Sequence, residues 1–158
     1  MISLLAVGTY MSRTETYWMY PIHKSAGMLI FSVIFLRVVW RLINGFPTPA
    51  RPFKTWEKVA SRLSHWVLLL GTLAMPLTGV GMTYFSGRDL TIFGTELVGA
   101  NMIDGERVPI NESLAGLSHE GHEYLSYLLI ALVIIHIGAA IKHHVIDKDS
   151  TLIKMKPW

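Results

Sequence analysis

Hydrophobic residues fall into three long runs, each of which is long enough to cross a lipid bilayer. The runs extend from about Tyr20 to Leu42, from about Val59 to Phe85, and from about Leu117 to Lys142. A spanning helix needs about 20 apolar residues, and a backbone in lipid must satisfy its own hydrogen bonds. The pattern therefore predicts an all-α protein, a transmembrane up-and-down helical bundle with three full spanning helices.

The segments that connect these runs are polar and differ in length. Asn44–Trp56 contains one glycine and three prolines, which predicts a turn. Ser86–Gly116 is long for a connection in a compact bundle, and such loops are often functional. Within the second run, Pro76, Gly79 and Gly81 predict a kink or a close approach by a neighbouring helix.

The N-terminal segment Ile2–Tyr10 is apolar but about half as long as a spanning helix requires. It has no basic start and no clear cleavage site, which makes a signal peptide a weak interpretation. We predict an N-terminal partial helix, the last half of a helix whose beginning is absent. Residues 1–158 would then form a single membrane-embedded domain.

Composition supports a membrane protein and narrows its chemistry. The chain is 51% hydrophobic and 16% charged, whereas a soluble domain carries about 25% charged residues. Cysteine is absent, which excludes disulfides, thiolate zinc sites, iron–sulfur clusters and covalently attached c-type haem. The net charge of +3 is small, and no stretch of interleaved basic and aromatic residues suggests nucleic-acid binding.

Basic residues are concentrated at two sites that an up-down-up bundle places on one side of the membrane. These sites hold ten of the fourteen basic residues: Arg37, Arg41, Arg51, Lys54, Lys58, Arg62, Lys142, Lys148, Lys154 and Lys156. The long loop instead carries Asp89, Glu96, Asp104, Glu106, Glu112 and Glu120. Because Lys and Arg set membrane orientation, we predict a multi-pass protein with its turn and C-terminus in the cytoplasm.

Four histidines lie inside the predicted helices, where an ionisable side chain is costly and is functional by default. His23 and His122 lie at matching depths near the outer starts of their helices. His136 follows His122 by fourteen residues, which places it within ~40° of the same face and ~21 Å deeper. His65 is about as far from the cytoplasmic helix end as His136. Facing imidazoles at one level are what six-coordinate haem requires, so b-type haem at two depths is indicated.

Each of these histidines also has a simpler interpretation. His136 could bond to a neighbouring helix, and His23 and His122 could form an interfacial pair. His65 could be structural, could bond to a haem propionate, or could ligate iron. His119 is expected to precede its helix and to be solvated.

The cations at the cytoplasmic side have two interpretations each. Arg37 and Arg41 could form ion pairs with haem propionates, or could extend to lipid headgroups. His143 lies seven residues after His136 on the same face and is a candidate cofactor contact. His143 and His144 are most simply basic surface residues near anionic headgroups.

In their order and spacing, these motifs resemble the bacterial cytochrome b561 family of four-helix, di-haem membrane proteins. The similarity covers the chain from its N-terminal segment to its C-terminus. It rests on Ile22-His23, Arg37-Val-Val-Trp-Arg41, Ser64-His65, Met75-Pro76-Leu-Thr-Gly79, His122-Glu123, His136, His143-His144 and the tail Lys148-Asp149-Ser150-Thr151-Leu152 with Met155 and Pro157.

The resemblance implies a particular set of haem ligands. One haem b near the outer face would be held by His23 and His122. A second near the inner face would be held by His136 and a first-helix histidine. The family's first helix begins with a His-Trp pair that this chain lacks, so we expect a late start or a truncation. One haem is then expected, or two if His65 replaces the missing ligand.

The resemblance also implies electron transfer across the bacterial inner membrane. The expected partners are ubiquinone or a similar quinone, membrane lipid, and a small outer reductant, superoxide or an electron-donor protein. Lys24, next to His23, could attract an anion or contact a headgroup. Three classes stay open: a free-standing carrier or quinone-linked oxidoreductase, a haem-bearing anchor subunit of a dehydrogenase or hydrogenase, and a haem-free structural protein.

Overall fold

Helices account for most of the chain, as the hydrophobic pattern predicts. The computed structural model describes residues 1–46 and 54–148. Its helices are α1 (Ile2–Thr14), α2 (Tyr20–Asn44), α3 (Thr55–Phe85) and α4 (Glu112–Val145), with a 3₁₀ turn at Tyr17–Met19. The predicted all-α membrane bundle is confirmed. Several residues of the sequence analysis lie outside the described ranges: Pro47, Pro49, Arg51, Pro52, Lys154, Lys156 and the tail from Asp149.

Three helices are long and apolar enough to cross a membrane, and their outer faces are exposed. α2, α3 and α4 have 25, 31 and 34 residues. At 1.5 Å per residue they span about 37 to 51 Å, which exceeds the hydrocarbon thickness of about 30 Å. Large apolar side chains point away from the bundle, including Leu36 and Ile134 at 67% and 65% exposure. Lipid is the surrounding that such faces require.

Two of these helices begin earlier than the hydrophobic runs do. α3 starts at Thr55 rather than Val59, and α4 starts at Glu112 rather than Leu117. The first turn of α4 is polar, and it is stabilised by the Asn111 side chain, which accepts a 3.0 Å hydrogen bond from the Leu114 N–H. His119 therefore lies inside α4. The prediction that it precedes the helix is wrong, although its side chain is exposed.

α1 is the predicted partial helix, and it is four residues longer than Ile2–Tyr10. Thirteen residues span about 20 Å, too short to cross the hydrocarbon. The helix packs onto the bundle through Leu5, which contacts Met75 and Leu129. It ends at Glu15, whose backbone is left-handed (φ 52°) and whose N–H donates to the Met11 carbonyl.

The long connection between α3 and α4 contains two small hairpins instead of irregular chain. β1 (Leu90–Ile92) pairs with β2 (Thr95–Val98), and β3 (Met102–Ile103) pairs with β4 (Glu106–Arg107). Each hairpin turns through two residues with positive φ, Phe93-Gly94 and Asp104-Gly105. We call this side of the bundle the hairpin end. The opposite side, where α2 and α4 end and α3 begins, is the turn end.

The helices approach each other most closely along α3 and α4. A Cβ on Gly71 would lie 3.0 Å from Leu129 Cδ2, and one on Gly81 would lie 2.8 Å from Ser118 Oγ. Leu129 is fully buried midway along the bundle. α3 continues through Pro76 as one helix. The close approach of a neighbouring helix, which Gly79 and Gly81 predict, is confirmed by the contacts of these glycines with α4.

Candidate functional site

The four helical histidines form two pairs, one toward each end of the bundle. The hairpin-end pair joins His23 of α2 to His122 of α4, with ring centroids 6.4 Å apart and ring planes at 81°. The turn-end pair joins His65 of α3 to His136 of α4, with centroids 5.8 Å apart and planes at 65°. The fold therefore brings together the residues that the sequence analysis placed at two depths.

His122 is oriented by α3 through one of its ring nitrogens. His122 Nδ1 lies 2.9 Å from the Met75 carbonyl oxygen and 3.2 Å from Thr78 Oγ1. The Thr78 hydroxyl is within bonding distance of the Ala74 and Met75 carbonyls, to which it donates. The Nδ1–H of His122 must then be the donor in both of its contacts, since carbonyls only accept. This tautomer leaves the Nε2 lone pair free, as in most metal-binding histidines.

His23 has a buried ring nitrogen that no polar group satisfies. Its Nδ1 is inaccessible to solvent and has no hydrogen-bond partner among the described residues. Leaving such an atom unsatisfied costs about 1–3 kcal/mol. A group between His23 and His122 would remove this cost by binding Nδ1 of His23.

Two glycines on neighbouring helices make room for these rings. A Cβ on Gly8 of α1 would lie 3.1 Å from Cε1 of His23. A Cβ on Gly79 of α3 would lie 3.1 Å from Cε1 and 3.3 Å from Nδ1 of His122. Both rings therefore lie against bare backbone, and a side chain at either glycine would crowd them.

The spacing of the hairpin-end pair fits two axial ligands of one metal. Two imidazoles with metal–nitrogen bonds of about 2.0 Å on opposite sides of one ion have centroids roughly 6 Å apart. Within residues 1–46 and 54–148, no group of three or more His, Asp or Glu side chains could hold an ion. Two ligands alone do not make a zinc or copper site, but they suffice for a haem iron, whose macrocycle supplies the other four.

A cavity of about 220 Å³ adjoins the hairpin-end pair. Side chains of all four helices line it, and Leu90 and Thr91 of the first hairpin contribute to its wall. That hairpin is fixed to α2, because the Phe93 N–H donates a 3.0 Å hydrogen bond to the buried Ser25 hydroxyl. Lys24 also lines the cavity and is half-buried.

Aromatic and cationic side chains surround the turn-end pair. The Phe46 ring stacks on His65 at 5.6 Å with an interplanar angle of 12°. The Arg41 guanidinium lies 5.7 Å from the centre of the Phe46 ring, whereas Arg37, one turn earlier, is exposed. His143 lies further along α4, where its Nδ1 is 2.7 Å from Asp147 Oδ2.

Three residues of the hairpin-end site were not predicted as such from the sequence. Gly8 was not singled out, and Thr78 and Gly79 appeared only within the motif Met75-Pro76-Leu-Thr-Gly79 and, for Gly79, in helix packing. Position offers one usable signal for α3: Gly79 is fourteen residues from His65, the separation of His122 from His136 on α4, and Thr78 is its neighbour. In antiparallel neighbours, equal separations place residues at matching depths. Nothing in the sequence singles out Gly8.

Comparisons with known proteins agree with this architecture. A family model described as prokaryotic cytochrome b561 matches residues 1–158. Cytochrome b561 homolog 2 of Escherichia coli (strain K12) is 29% identical over 96% of this chain and 80% of its own. Cytochrome b561 homolog 1 of the same organism is 29% identical over 94% and 77%. The probable superoxide oxidase CybB of Yersinia pestis is 29% identical over 92% and 78%.

Proposed function

The chain belongs to the prokaryotic cytochrome b561 family, and on that premise we propose that His23 and His122 ligate a b-type haem serving electron exchange with a membrane quinone. Membership makes the protein a membrane b-type cytochrome of electron transfer. The ligands, the quinone and the outer reductant belong to our proposal. The observation that supports it best is the 6.4 Å spacing of the two rings.

Each residue of the hairpin-end site has a distinct task in this proposal. His23 and His122 would hold the haem, and the Met75 carbonyl fixes the orientation of the His122 ring. A haem held by two histidines would be suited to electron transfer rather than to oxygen binding. When bound, haem b supplies a one-electron redox centre. The protein then contributes ligation, orientation and exclusion of water.

The electron donor is best sought at the hairpin end. One relative is named a probable superoxide oxidase, which supports a small anionic reductant. Lys24 lies next to His23 on the cavity wall, where its positive charge would attract such an anion. Oxidation of superoxide to dioxygen yields one electron. Two such electrons and two protons reduce a quinone to its quinol.

The quinone is expected to arrive from the lipid. Quinones of respiratory membranes dissolve in the hydrocarbon, and the cavity beside the hairpin-end pair is lined mainly by apolar side chains such as Leu4, Leu5 and Val80. We place the protein in the bacterial inner membrane with its hairpin end outside. This orientation puts the basic residues near Asn44, Thr55 and Val145 in the cytoplasm.

Single substitutions of the two histidines test the proposal. His23→Ala and His122→Ala should each remove one haem, and both should remove the same component of the reduced-minus-oxidised spectrum. His144→Ala is the matched control, because His144 is an exposed histidine of α4 at the opposite, turn end. Haem per chain, counted as the pyridine haemochrome, should be unchanged in the control. Full haem content in either pair variant would refute the ligand assignment.

A further inference from the structure

We propose that the outer face of α3 at the turn end binds an anionic phospholipid, whose headgroup contacts Lys58 and Arg62. A groove of about 330 Å³ lies on this face, and it is lined by Lys58, Val59, Arg62, Leu63 and Trp66. The inference goes beyond the proposed function, and it does not depend on which residues ligate the haem.

The five residues of the groove lie on one side of α3. With 3.6 residues per turn, their directions fall within an arc of ~140°. Lys58 and Arg62 are four residues apart, which brings both side chains within reach of one phosphate group. Val59 and Leu63 have the same spacing beside them. The groove therefore combines a pair of cations with an apolar wall, as the junction between a phosphate and its acyl chains requires.

Neither cation of the groove has an acidic partner in the part of the chain that the structure describes. Lys58 and Arg62 are both exposed. Lys142, another cation of the turn end, is paired instead, with its Nζ 3.1 Å from Asp147 Oδ2. Each basic residue at a membrane surface strengthens the binding of anionic lipid about fivefold. Two such residues at one groove therefore favour an anionic headgroup over a zwitterionic one.

A second copy of the chain is poorly suited to occupy the groove. Of the described residues at the turn end, only Glu57 and Asp147 are acidic. Glu57 Oε2 accepts a 3.1 Å hydrogen bond from the Lys54 N–H, and Asp147 bonds to two side chains of α4. Because both carboxylates are engaged within their own chain, the negative charge that the groove requires is better supplied by a lipid phosphate.

An exposed apolar ridge continues from the groove toward the middle of the bundle. Leu63, Leu70 and Leu77 are 62%, 53% and 51% exposed and are spaced seven residues apart. A seven-residue step turns the helix face by only about 20°, so the three side chains lie almost in line. The ridge is ~21 Å long and exceeds the hydrocarbon thickness of one leaflet, about 15 Å. An acyl chain below the bound headgroup would contact it throughout that leaflet.

Trp66 forms a wall of the groove that the bundle holds in place. The Phe46 ring packs edge to face against the Trp66 ring, with centroids 5.1 Å apart, and stacks on His65 on another side. An indole beside basic side chains is typical of the level at which lipid headgroups lie. Since this wall is already fixed in the free protein, binding a lipid there orders few further side chains.

Native mass spectrometry of the full, haem-containing chain, purified in detergent and stripped of lipid, tests the inference. The first molecule of phosphatidylglycerol should bind more tightly than phosphatidylethanolamine with the same acyl chains. Lys58→Gln and Arg62→Gln should each weaken phosphatidylglycerol binding about fivefold, whereas Arg62→Lys should retain it. Lys148→Gln is the matched control, because it removes one exposed cation of the turn end outside the groove. Its dissociation constant should not change.

Haem content and helical circular dichroism should be the same in all variants, which separates loss of the lipid site from unfolding. The inference is overturned if the double variant Lys58→Gln/Arg62→Gln keeps the preference for phosphatidylglycerol, or if the unsubstituted chain binds both lipids equally. A dimer in lipid-free detergent that the double variant dissociates would also overturn it, because a second copy would then occupy the groove.

Discussion

Gly79 places the backbone of α3 directly against His122, where any side chain would intrude. In Gly79→Ala the new Cβ would lie 3.1 Å from the His122 ring, which must shift to make room. Overpacking of this kind costs about 1–3 kcal/mol. We expect a lower midpoint for heat-induced loss of the haem band. Gly138→Ala on α4 is the control, because its Cβ would meet no atom within 4 Å. Equal midpoints in the two variants would contradict the packing argument.

Thr78 fixes His122 together with the Met75 carbonyl, so its hydroxyl should tune haem binding. Thr78→Val keeps the shape but removes one acceptor of the Nδ1–H, while the carbonyl remains. Losing an outer contact of a metal-bound histidine weakens binding about 10- to 100-fold, and the surviving acceptor favours the lower figure. Haem transfer to apomyoglobin measures this affinity. Thr72→Val is the control: among the described residues the Thr72 hydroxyl bonds only to the Leu68 and Leu69 carbonyls, so haem affinity should not change.

Helical spacing predicts the depth of these residues but not their neighbours. The fourteen-residue interval from His122 to His136 gives one face of α4 and about 21 Å, which is a property of any helix. Which ring faces which depends on how neighbouring helices rotate about their axes, and this follows from packing of small residues such as Gly71 against Leu129. The sequence analysis therefore reached the histidines and missed Gly8 and Thr78.

The two hairpins cannot be predicted from the pattern of polar and apolar residues alone. Asp104-Gly105 is a two-residue sequence typical of a type I′ turn, and both residues adopt positive φ. The flanking strands have only two residues each, so alternation of apolar and polar positions cannot reveal them. The first residues of a helix are missed for a related reason. The hydrophobic run marks only the part of the helix that lies in lipid, whereas α4 begins five residues before that run, in a polar turn capped by Asn111.

The first hairpin is expected to depend on one hydrogen bond to α2. Ser25→Ala removes the acceptor of the Phe93 N–H and leaves a partly buried donor unsatisfied, at a cost of about 1–3 kcal/mol. Amide exchange at Phe93 should accelerate at least about fivefold, since 1.4 kcal/mol corresponds to a factor of ten. Hydrogen exchange followed by mass spectrometry measures this. Ser32→Ala, an exposed serine bonded within its own helix, should leave the hairpin unchanged.

The whole molecule has an uneven distribution of basic residues that predicts its orientation. Ten of fourteen Lys and Arg residues flank the turn and the C-terminus, while the long loop is acidic. We expect a C-terminal alkaline phosphatase fusion, active only outside the cytoplasm, to be inactive. The same enzyme inserted after Asp104, at a hairpin tip, should be active. The opposite pattern of activity would place the hairpin end, with its proposed electron-donor site, in the cytoplasm.

At this scale the sequence was most informative, because lipid imposes simple rules. Three apolar runs and one partial run became three spanning helices and α1. A backbone in lipid has few alternatives to a helix, so the length and polarity of a segment decide whether it forms a spanning helix. The position of α1 against the bundle could not be predicted from the sequence. Leu5 packs with Met75 and Leu129, and this contact depends on how α3 and α4 pack together.

The apolar layer around Leu129 makes electron transfer between the two ends of the bundle sensitive to the membrane voltage. Leu129 is fully buried between the two histidine pairs, where it forms an apolar layer with Met75 and Leu5. If both pairs bind haem, an electron crossing this layer moves without a compensating proton. Its transfer then performs electrical work against the membrane voltage, up to about 2.3 kcal/mol per 100 mV for a full crossing. The membrane voltage would therefore bias how the electron is shared between the two haems. In an energised membrane the electron would shift toward the haem on the positive side.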